Sequence, residues 1–189
     1  MAIRLNTPIS REDARKLRAG DSVLLCGIIY TARDAAHKRL CELIAREGAS
    51  ALPFDIENCA IYFVGPTPER PGEVIGSAGP TTSYRMDDYS PILIEHGQTS
   101  MIGKGKRSEK VVEAMKKHGA VYFGAIGGCG ALLASCIKEK TTVCYDDLGA
   151  EAVCRLRVED FPVTVIIDSE GNNLYEIGKE KYLNSLKTN

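Results

Sequence analysis

Apolar residues along the chain fall into short runs separated by turn residues, a pattern that is typical of buried strands. In chain order, the predicted strands are residues 23–30, 59–64, 73–77, 99–102, 120–125, 141–147, 153–160 and 163–168. The turn at 169–173 predicts a hairpin that returns the chain onto a short run at 174–178.

Other segments have the 3.6-residue spacing of helices. In chain order, the predicted helices are residues 10–20, 33–48, 90–96, 108–118 and 126–137, the last opening on a glycine turn. Ser10 supplies an N-cap for the first, and Asp13 gives it an acidic first turn. Because strands and helices are interleaved, we predict an α/β fold with a mixed sheet flanked by helices, in a single domain 1–189.

Composition limits the classes of protein that the chain can be. Its 189 residues are 44% hydrophobic, which is enough for one sizeable core. With 24 basic and 25 acidic residues the net charge is -1, so nothing indicates nucleic acid or an anionic membrane as a partner. Because neither a membrane-spanning run nor a secretory signal is evident, we expect a cytoplasmic protein.

Seven cysteines are scattered along the chain without a CxxC pair: Cys26, Cys41, Cys59, Cys129, Cys136, Cys144 and Cys154. An odd number at irregular spacing differs from the disulfide framework of a small secreted domain. We therefore expect reduced, mostly buried thiols, and we expect this chain to bind no metal or cluster of its own.

Three cationic residues follow predicted strands: Arg33 in TARDAAH, Arg85 in GPTTSYRMD and Lys104 in GKGKRS. Open α/β sheets bind ligands at the carboxyl ends of their strands, so these turns are expected to converge. Guanidinium forks beside glycines suit a small dianion, either a dicarboxylate or a phosphate. Because no phosphate-loop or dinucleotide fingerprint is present, the sequence favours a dicarboxylate.

Two nearby segments carry groups that could contact such an anion. Thr81 and Thr82 lie on a proline-stiffened turn, where a hydroxyl either caps the next helix or faces a ligand. A threonine hydroxyl is a weak base, so catalysis by one requires positive charge nearby. Gly127 and Gly128 open a helix whose free N–H groups could bind an anion, although glycines also permit close helix packing.

Three further residues are candidates for supporting roles. Asp34 is expected to pair with a neighbouring charge or to cap its helix, and Asp87 is expected to orient Arg85. His37 should lie close to Arg33 and Asp34, one turn into the same helix, and a position on the helix surface is favoured for it. We carry all three as possible support for the site.

The segments that hold these residues resemble the β subunit, or C-terminal domain, of class I fumarases and L-tartrate dehydratases. The resemblance runs from about Leu5 to Tyr182, and it rests on TARDAAHKR, GPTTSYRMD, GKGKRS, GAIGGCGALLA and EGNNLY. It implies a swivelling β/β/α domain. In enzymes of this family, a partner chain or N-terminal domain holds a 4Fe-4S cluster through three cysteines.

The resemblance also implies roles for individual residues. Arg33, Arg85 and Lys104 match positions that bind substrate, and Thr81 matches the proposed base. Lys106 departs from the family pattern, so either lysine of GKGKRS could contact substrate. The resemblance further implies a hetero-oligomer in which a cluster-bearing α subunit supplies the cofactor and this chain binds none.

Three functions remain open from the sequence. The first is reversible hydration of fumarate to L-malate as the β subunit of an iron-sulfur hydro-lyase that is active only with its partner. The second is the same role in an L-tartrate dehydratase, because the two substrates differ by one hydroxyl. The third is a non-catalytic anion-binding module.

Overall fold

The computed structural model describes residues 2–187, so Met1, Thr188 and Asn189 of the predicted domain lie outside the described residues. The strands are β1 (Ile3–Thr7), β2 (Ser22–Thr31), β3 (Ala60–Tyr62), β4 (Ser100–Gly103), β5 (Val121–Gly124), β6 (Ile137–Cys144) and β7 (Val153–Ile167). The α-helices are α1 (Arg11–Lys16), α2 (Asp34–Glu47), α3 (Ser90–Glu95), α4 (Glu109–His118), α5 (Gly130–Ser135) and α6 (Leu174–Lys187). Short 3₁₀ helices lie at Ala49–Ala51, Ser83–Met86 and Asp146–Glu151.

The seven strands form one mixed sheet that closes on itself, which confirms the predicted α/β class. Its order is β1-β2-β3-β4-β5-β7-β6, and an additional pairing joins β2 to β7. Strands β2 to β5 run parallel, while β7 runs antiparallel to both β2 and β5. Five strands therefore enclose a small barrel, and β1 and β6 extend its wall.

Alternation along the strands divides the apolar side chains between two cores, because successive side chains point to opposite faces. Tyr62 and Phe123 face the barrel interior, together with residues of β2 and β7. Phe63, Met101 and Tyr122 face outward, where α2, α3 and α4 cover them. The barrel walls and this helical layer give a β/β/α arrangement, and the swivelling motion stays a prediction.

Helix boundaries agree well with their local signals. The Ser10 hydroxyl accepts a hydrogen bond from the backbone N–H of Asp13, as predicted, although α1 ends at Lys16 rather than at Gly20. Helix α4 ends at His118, and Gly119, which follows it, has the left-handed backbone conformation common after helices. Three basic residues stand in its last turn, where they favour the helix dipole.

The predicted strand at 73–77 is wrong. Residues 65–79 form a loop that closes on itself, since Thr67 N–H donates to the Ser77 carbonyl and Ser77 N–H donates to the Thr67 hydroxyl. Val74 is exposed and Ile75 is buried. A strand needs a neighbouring strand to pair its backbone N–H and C=O groups. In this loop, hydrogen bonds within the loop itself pair some of those groups instead.

Two other predictions need correction in the sheet, and one strand was missed. The predicted strands 153–160 and 163–168 form one continuous strand, β7. Asp160 has a positive φ, but this local irregularity does not interrupt the strand. Residues 174–178 begin helix α6, and only an isolated bridge between Ile167 and Asn173 remains of the predicted hairpin. Strand β1 was not predicted, because five half-exposed residues carry little periodic signal.

Candidate active site

The predicted cationic turns converge at one end of the barrel. Arg33 follows β2 and Lys104 follows β4, while the Thr81 N–H donates to the carbonyl of Phe63, just beyond β3. Thr82 forms an isolated parallel bridge with Lys104. Because β2, β3 and β4 are parallel neighbours, their carboxyl ends bring these residues together.

Arg33, Arg85 and two carboxylates form a row of alternating charge. Arg85 Nη2 donates to Asp34 Oδ2 at 2.8 Å, and Arg33 Nη2 lies 3.7 Å from Asp34 Oδ1. On its other side, Arg33 Nη2 lies 3.1 Å from Glu151 Oε1. Asp34 thus holds the two guanidinium groups close to each other, as its predicted pairing role required.

Arg33 is also confined by the backbone. A Cβ atom at Gly65 would lie 2.9 Å from Arg33 Nη1, so the glycine lets the chain after β3 approach the guanidinium. Arg33 Nε is buried and has no hydrogen-bond partner among the described residues. Arg33 is mostly buried, whereas 41% of the Arg85 side chain is exposed.

The turn that carries Thr81 and Arg85 is tied to the loop that carries Lys104. Ser83 N–H donates to the Lys104 carbonyl at 2.9 Å, and Lys104 N–H donates to the Ser83 hydroxyl at 3.0 Å. The 3₁₀ helix Ser83–Met86 begins without a side-chain cap from Thr82. Helix capping therefore does not account for Thr82.

Lys104 lies beside the predicted glycine turn. Its Nζ lies 3.9 Å from the position that a Cβ would take at Gly127, and Gly128 has a φ of +87°. The helix that follows has only six residues, so it offers little helix dipole to an anion. Gly130 serves close packing, because a side chain there would meet the Ser77 hydroxyl and the Gly79 backbone.

His37 is fully buried, so the favoured position on the helix surface is wrong. Its Nδ1 lies 2.9 Å from the Arg33 carbonyl, which can only accept, so Nδ1 carries the proton. The ring packs edge-on against Phe63. Burial lowers the pKa of His37 from 6.5 to about 4, and its Nε2 has no partner within residues 2–187.

Asp87 does not orient Arg85. Its Oδ1 accepts from Arg107 Nε at 2.7 Å, and its Oδ2 accepts from the backbone N–H of Ser108 at 2.6 Å. The partner of Arg85 is Asp34 instead, since the 3₁₀ turn at 83–86 points residues two positions apart in different directions.

Sequence reasoning missed Glu151 and Arg107. Glu151 stands on the 3₁₀ helix Asp146–Glu151, far from Arg33 in sequence, so no local pattern could indicate the contact. Arg107 belongs to GKGKRS, in which the family resemblance points to the two lysines. Arginine is the cation that proteins prefer for buried ion pairs, and that preference was the available signal.

The described residues do not fit an iron-sulfur cluster. Across residues 2–187, no group of three or more His, Cys, Asp or Glu side chains is placed to hold a metal ion. All seven cysteines are free: Cys41, Cys59 and Cys154 are buried, and Cys26, Cys129, Cys136 and Cys144 are partly buried. Within the same part of the chain, no helix combines the length and apolarity needed to cross a bilayer.

Two arginines, a lysine and two threonines thus lie at one end of an α/β barrel, an arrangement whose charge suits a small anion. Residues 1–178 match the sequence profile of the Fumarase C-terminus family. The chain therefore belongs to that family, which bears out the resemblance drawn from its motifs.

Curated relatives are of two kinds. The anaerobic class I fumarate hydratase of Escherichia coli is 43% identical over 154 residues, which cover 80% of this chain and 28% of that protein. Fumarate hydratase 2 of Leishmania major is 39% identical over 175 residues, or 90% of this chain and 30% of that one. The putative L(+)-tartrate dehydratase subunit beta of Methanocaldococcus jannaschii is 40% identical over 181 residues, 92% of each.

The chain thus spans about three-tenths of the length of these two fumarate hydratases. It corresponds to nearly the whole of the tartrate dehydratase subunit.

Proposed function

We propose that this chain is the substrate-binding β subunit of a two-chain hydro-lyase that reversibly hydrates fumarate to L-malate. The observation that carries the proposal is the cluster of Arg33, Arg85 and Lys104 beside Thr81, at one end of the barrel. Full-length similarity to a protein named as a β subunit supports a two-chain organisation. The similarity to fumarate hydratases supports the reaction.

Each cation has a physical part in this proposal. Fumarate and malate carry two carboxylates, and a guanidinium can grip a carboxylate through two parallel hydrogen bonds. The half-exposed Arg85 is accessible to one carboxylate, while Arg33 and the exposed Lys104 would serve the other. Asp34 and Glu151 keep the arginines in place before substrate arrives.

Thr81 is the proposed base that exchanges a proton with the carbon next to a substrate carboxylate. Its hydroxyl needs nearby positive charge to act so, and Arg85 and Lys104 flank its turn. Thr82 is its neighbour and a natural comparison, because it has the same side chain and lies on the same turn.

A hydration of this kind also needs a Lewis acid for the hydroxyl that leaves or adds. We assign that part to a 4Fe-4S cluster held by an α subunit, because the described residues of this chain do not fit a cluster. The proposed assembly is therefore a hetero-oligomer, and its location is proposed to be the cytoplasm.

A second candidate is L-tartrate dehydration, favoured by the relative named as a tartrate dehydratase subunit, which is 92% covered by the match. Tartrate and malate differ by one hydroxyl, so the same cations would bind either. A third candidate, a non-catalytic anion-binding module, would keep the cationic site without a cluster-bearing partner.

The deciding experiment is anaerobic co-expression with a candidate cluster-bearing chain, followed by assays on fumarate, malate and tartrate. Turnover of fumarate and malate is the expected result. Turnover of tartrate alone would replace the first candidate by the second. Binding of the acids by this chain, with no assembly with a cluster-bearing chain, would leave the anion-binding module.

A further inference from the structure

One buried cation beneath the site has no place in the proposed chemistry. Arg107 lies in the loop after β4, three residues beyond Lys104, and its side chain is 0% exposed. Its Nε donates to Asp87 Oδ1 at 2.7 Å, its Nη2 donates to the Ser90 hydroxyl at 2.7 Å, and its Nη1 lies 3.1 Å from the Met101 sulfur. All three guanidinium nitrogens are therefore engaged.

Two aromatic rings complete the surroundings of Arg107. Its guanidinium carbon lies 5.3 Å from the ring centre of Phe63 and 5.1 Å from that of Tyr122, within cation–π range. The Tyr122 hydroxyl donates to the Gly105 carbonyl and lies 2.8 Å from the Ser83 hydroxyl. Through Tyr122, the surroundings of Arg107 are thus connected both to the turn of Ser83 and to the loop of Gly105.

The partners of Arg107 belong to the turn that carries Arg85. Asp87 follows Arg85 by two residues, and Ser90 opens α3, where its hydroxyl donates to the Met86 carbonyl. Asp87 also accepts from the N–H of Ser108, next to Arg107. The loop 103–108 and the segment 81–90 are therefore joined by Arg107 and Asp87 at one end, and by Ser83 and Lys104 at the other.

Packing alone does not explain a charge at this position. A guanidinium loses its hydration on burial, which here lowers the pKa of Arg107, and Asp87 is its single ion-pair partner among the described residues. A hydrophobic side chain of similar volume often stabilises a core at least as well as a buried ion pair. What it could not reproduce is a planar group with donors fixed in several directions.

We propose that Arg107 is a positioning residue that sets the distance between Lys104 and the turn of Thr81 and Arg85. It acts through Asp87, Ser90 and the rings of Phe63 and Tyr122, and it touches no substrate. This inference rests on the proposed function for its kinetic consequence, but the link between the two segments can be measured without any catalysis.

The kinetic test uses Arg107→Lys in the co-expressed complex. Lysine keeps the charge, but one ammonium group cannot reach Asp87, Ser90 and Met101 in the geometry of a fork. Because Lys104 and Arg85 are proposed to bind substrate, KM for fumarate should rise at least tenfold, and kcat per cluster should fall as well because the turn also carries the proposed base Thr81. The matched control is Val158→Ala, which removes buried volume from β7 where it pairs with β2 and β6, outside the two segments, and should lower the melting temperature with KM unchanged.

The structural test is amide hydrogen exchange in the full chain without its partner. Arg107→Lys should speed exchange in residues 81–90 and 103–108, whereas Val158→Ala should leave these two segments as they are. If Arg107→Lys does not fold, Asp87→Asn replaces it, because the amide keeps the shape and weakens the charged link. Asp87→Asn is then expected to speed amide exchange in the two segments and to raise KM, as Arg107→Lys would, but by smaller amounts.

The outcomes of the two tests are distinct. A wild-type complex that converts none of the three acids would reject the proposed function, and faster exchange confined to the two segments would still support the link. An Arg107→Lys complex with KM within twofold of wild type and unchanged exchange would overturn the positioning role. A lower melting temperature alone, as in the Val158→Ala control, would also overturn it.

Discussion

At the scale of single residues, the site depends on guanidinium groups whose planar shape matters as well as their charge. Arg33 and Arg85 share the carboxylate of Asp34, and each keeps donors that point away from it. Replacing such an arginine by lysine keeps the positive charge but removes the planar guanidinium group. It therefore separates the part of binding that depends on shape from the part that depends on charge.

Arg85→Lys should lower kcat/KM for fumarate and malate about ten- to a hundredfold in the reconstituted complex. Loss of one charge-assisted hydrogen bond costs roughly 1.5 to 3 kcal/mol, which corresponds to that range. Steady-state kinetics with the melting temperature in parallel will measure it. The control is Arg46→Lys, an exposed arginine that pairs with its neighbour Glu47. Activity within twofold of wild type would mean that Arg85 does not bind substrate.

Thr81→Ala should lower kcat far more than it raises KM, as expected for a group that acts chiefly in the transition state. Thr82→Ala is the matched control and should have the smaller effect, because its neighbour is the proposed base. Steady-state kinetics of the two complexes, with iron content measured in both, makes the comparison. Small and equal effects from both substitutions would remove the proton-transfer role from Thr81.

His37 should make the fold sensitive to acid. Its pKa is about 4 in the folded chain and near 6.5 when unfolded, so between these values the unfolded chain binds a proton that the folded chain does not. Stability is fully present above pH 6.5 and falls as the pH drops toward 4, by about 3 kcal/mol in total. Urea unfolding at several pH values will measure this loss.

His37→Asn should flatten the pH dependence of stability in that window, because asparagine does not titrate there. The control is His96→Asn, which changes an exposed histidine at the end of α3 and should leave the slope as in wild type. An unchanged slope in His37→Asn would show that other groups cause the acid sensitivity.

At the scale of elements, glycines decide how closely strands and turns approach. A Cβ at Gly103, the last residue of β4, would collide with the Ser83 hydroxyl and lie 2.9 Å from a ring carbon of Phe63. The close approach lets the turn of Thr81 and Arg85 rest on the end of β4. Gly178 in α6 is different, because nothing lies within 4 Å of its Cβ position.

Gly103→Ala should destabilise the fold by about 1 to 3 kcal/mol through overpacking. Gly178→Ala should instead be neutral or stabilise by about 0.5 to 1 kcal/mol, because alanine favours the helix. Urea unfolding of both variants measures the difference. Equal effects would contradict the close packing of β4 against Ser83.

At the scale of the whole molecule, the barrel and its helical layer extend over most of the described chain, so we expect the chain to fold without a partner. The purified chain should be colourless, bind no stoichiometric iron and fail to hydrate fumarate, because its cysteines lack cluster spacing. Anaerobic reconstitution, absorption and circular dichroism spectra test this. An iron-sulfur absorption band would contradict it, and a disordered spectrum would mean that the partner is needed for folding.

The sequence by itself predicted the features that depend on near neighbours. Apolar runs located β2, β3, β4 and β5, and the N-cap at Ser10 and the glycine after His118 agree with the ends of α1 and α4. The convergence of Arg33 and Lys104 was also predictable, because the carboxyl ends of the parallel strands β2 and β4 lie at one edge. The strand expected before Arg85 is absent, and Arg85 reaches the site through the 3₁₀ helix Ser83–Met86 instead.

Only the tertiary structure decided which groups pair across the chain. The contacts of Arg33 with Glu151 and of Arg107 with Asp87 join segments that have no periodic relation in the sequence. The burial of His37 likewise depends on distant residues. Its ring packs against Phe63, within the core that the helical layer covers. Local patterns report on residues within a few turns, whereas burial and ion pairing are set by where distant segments meet.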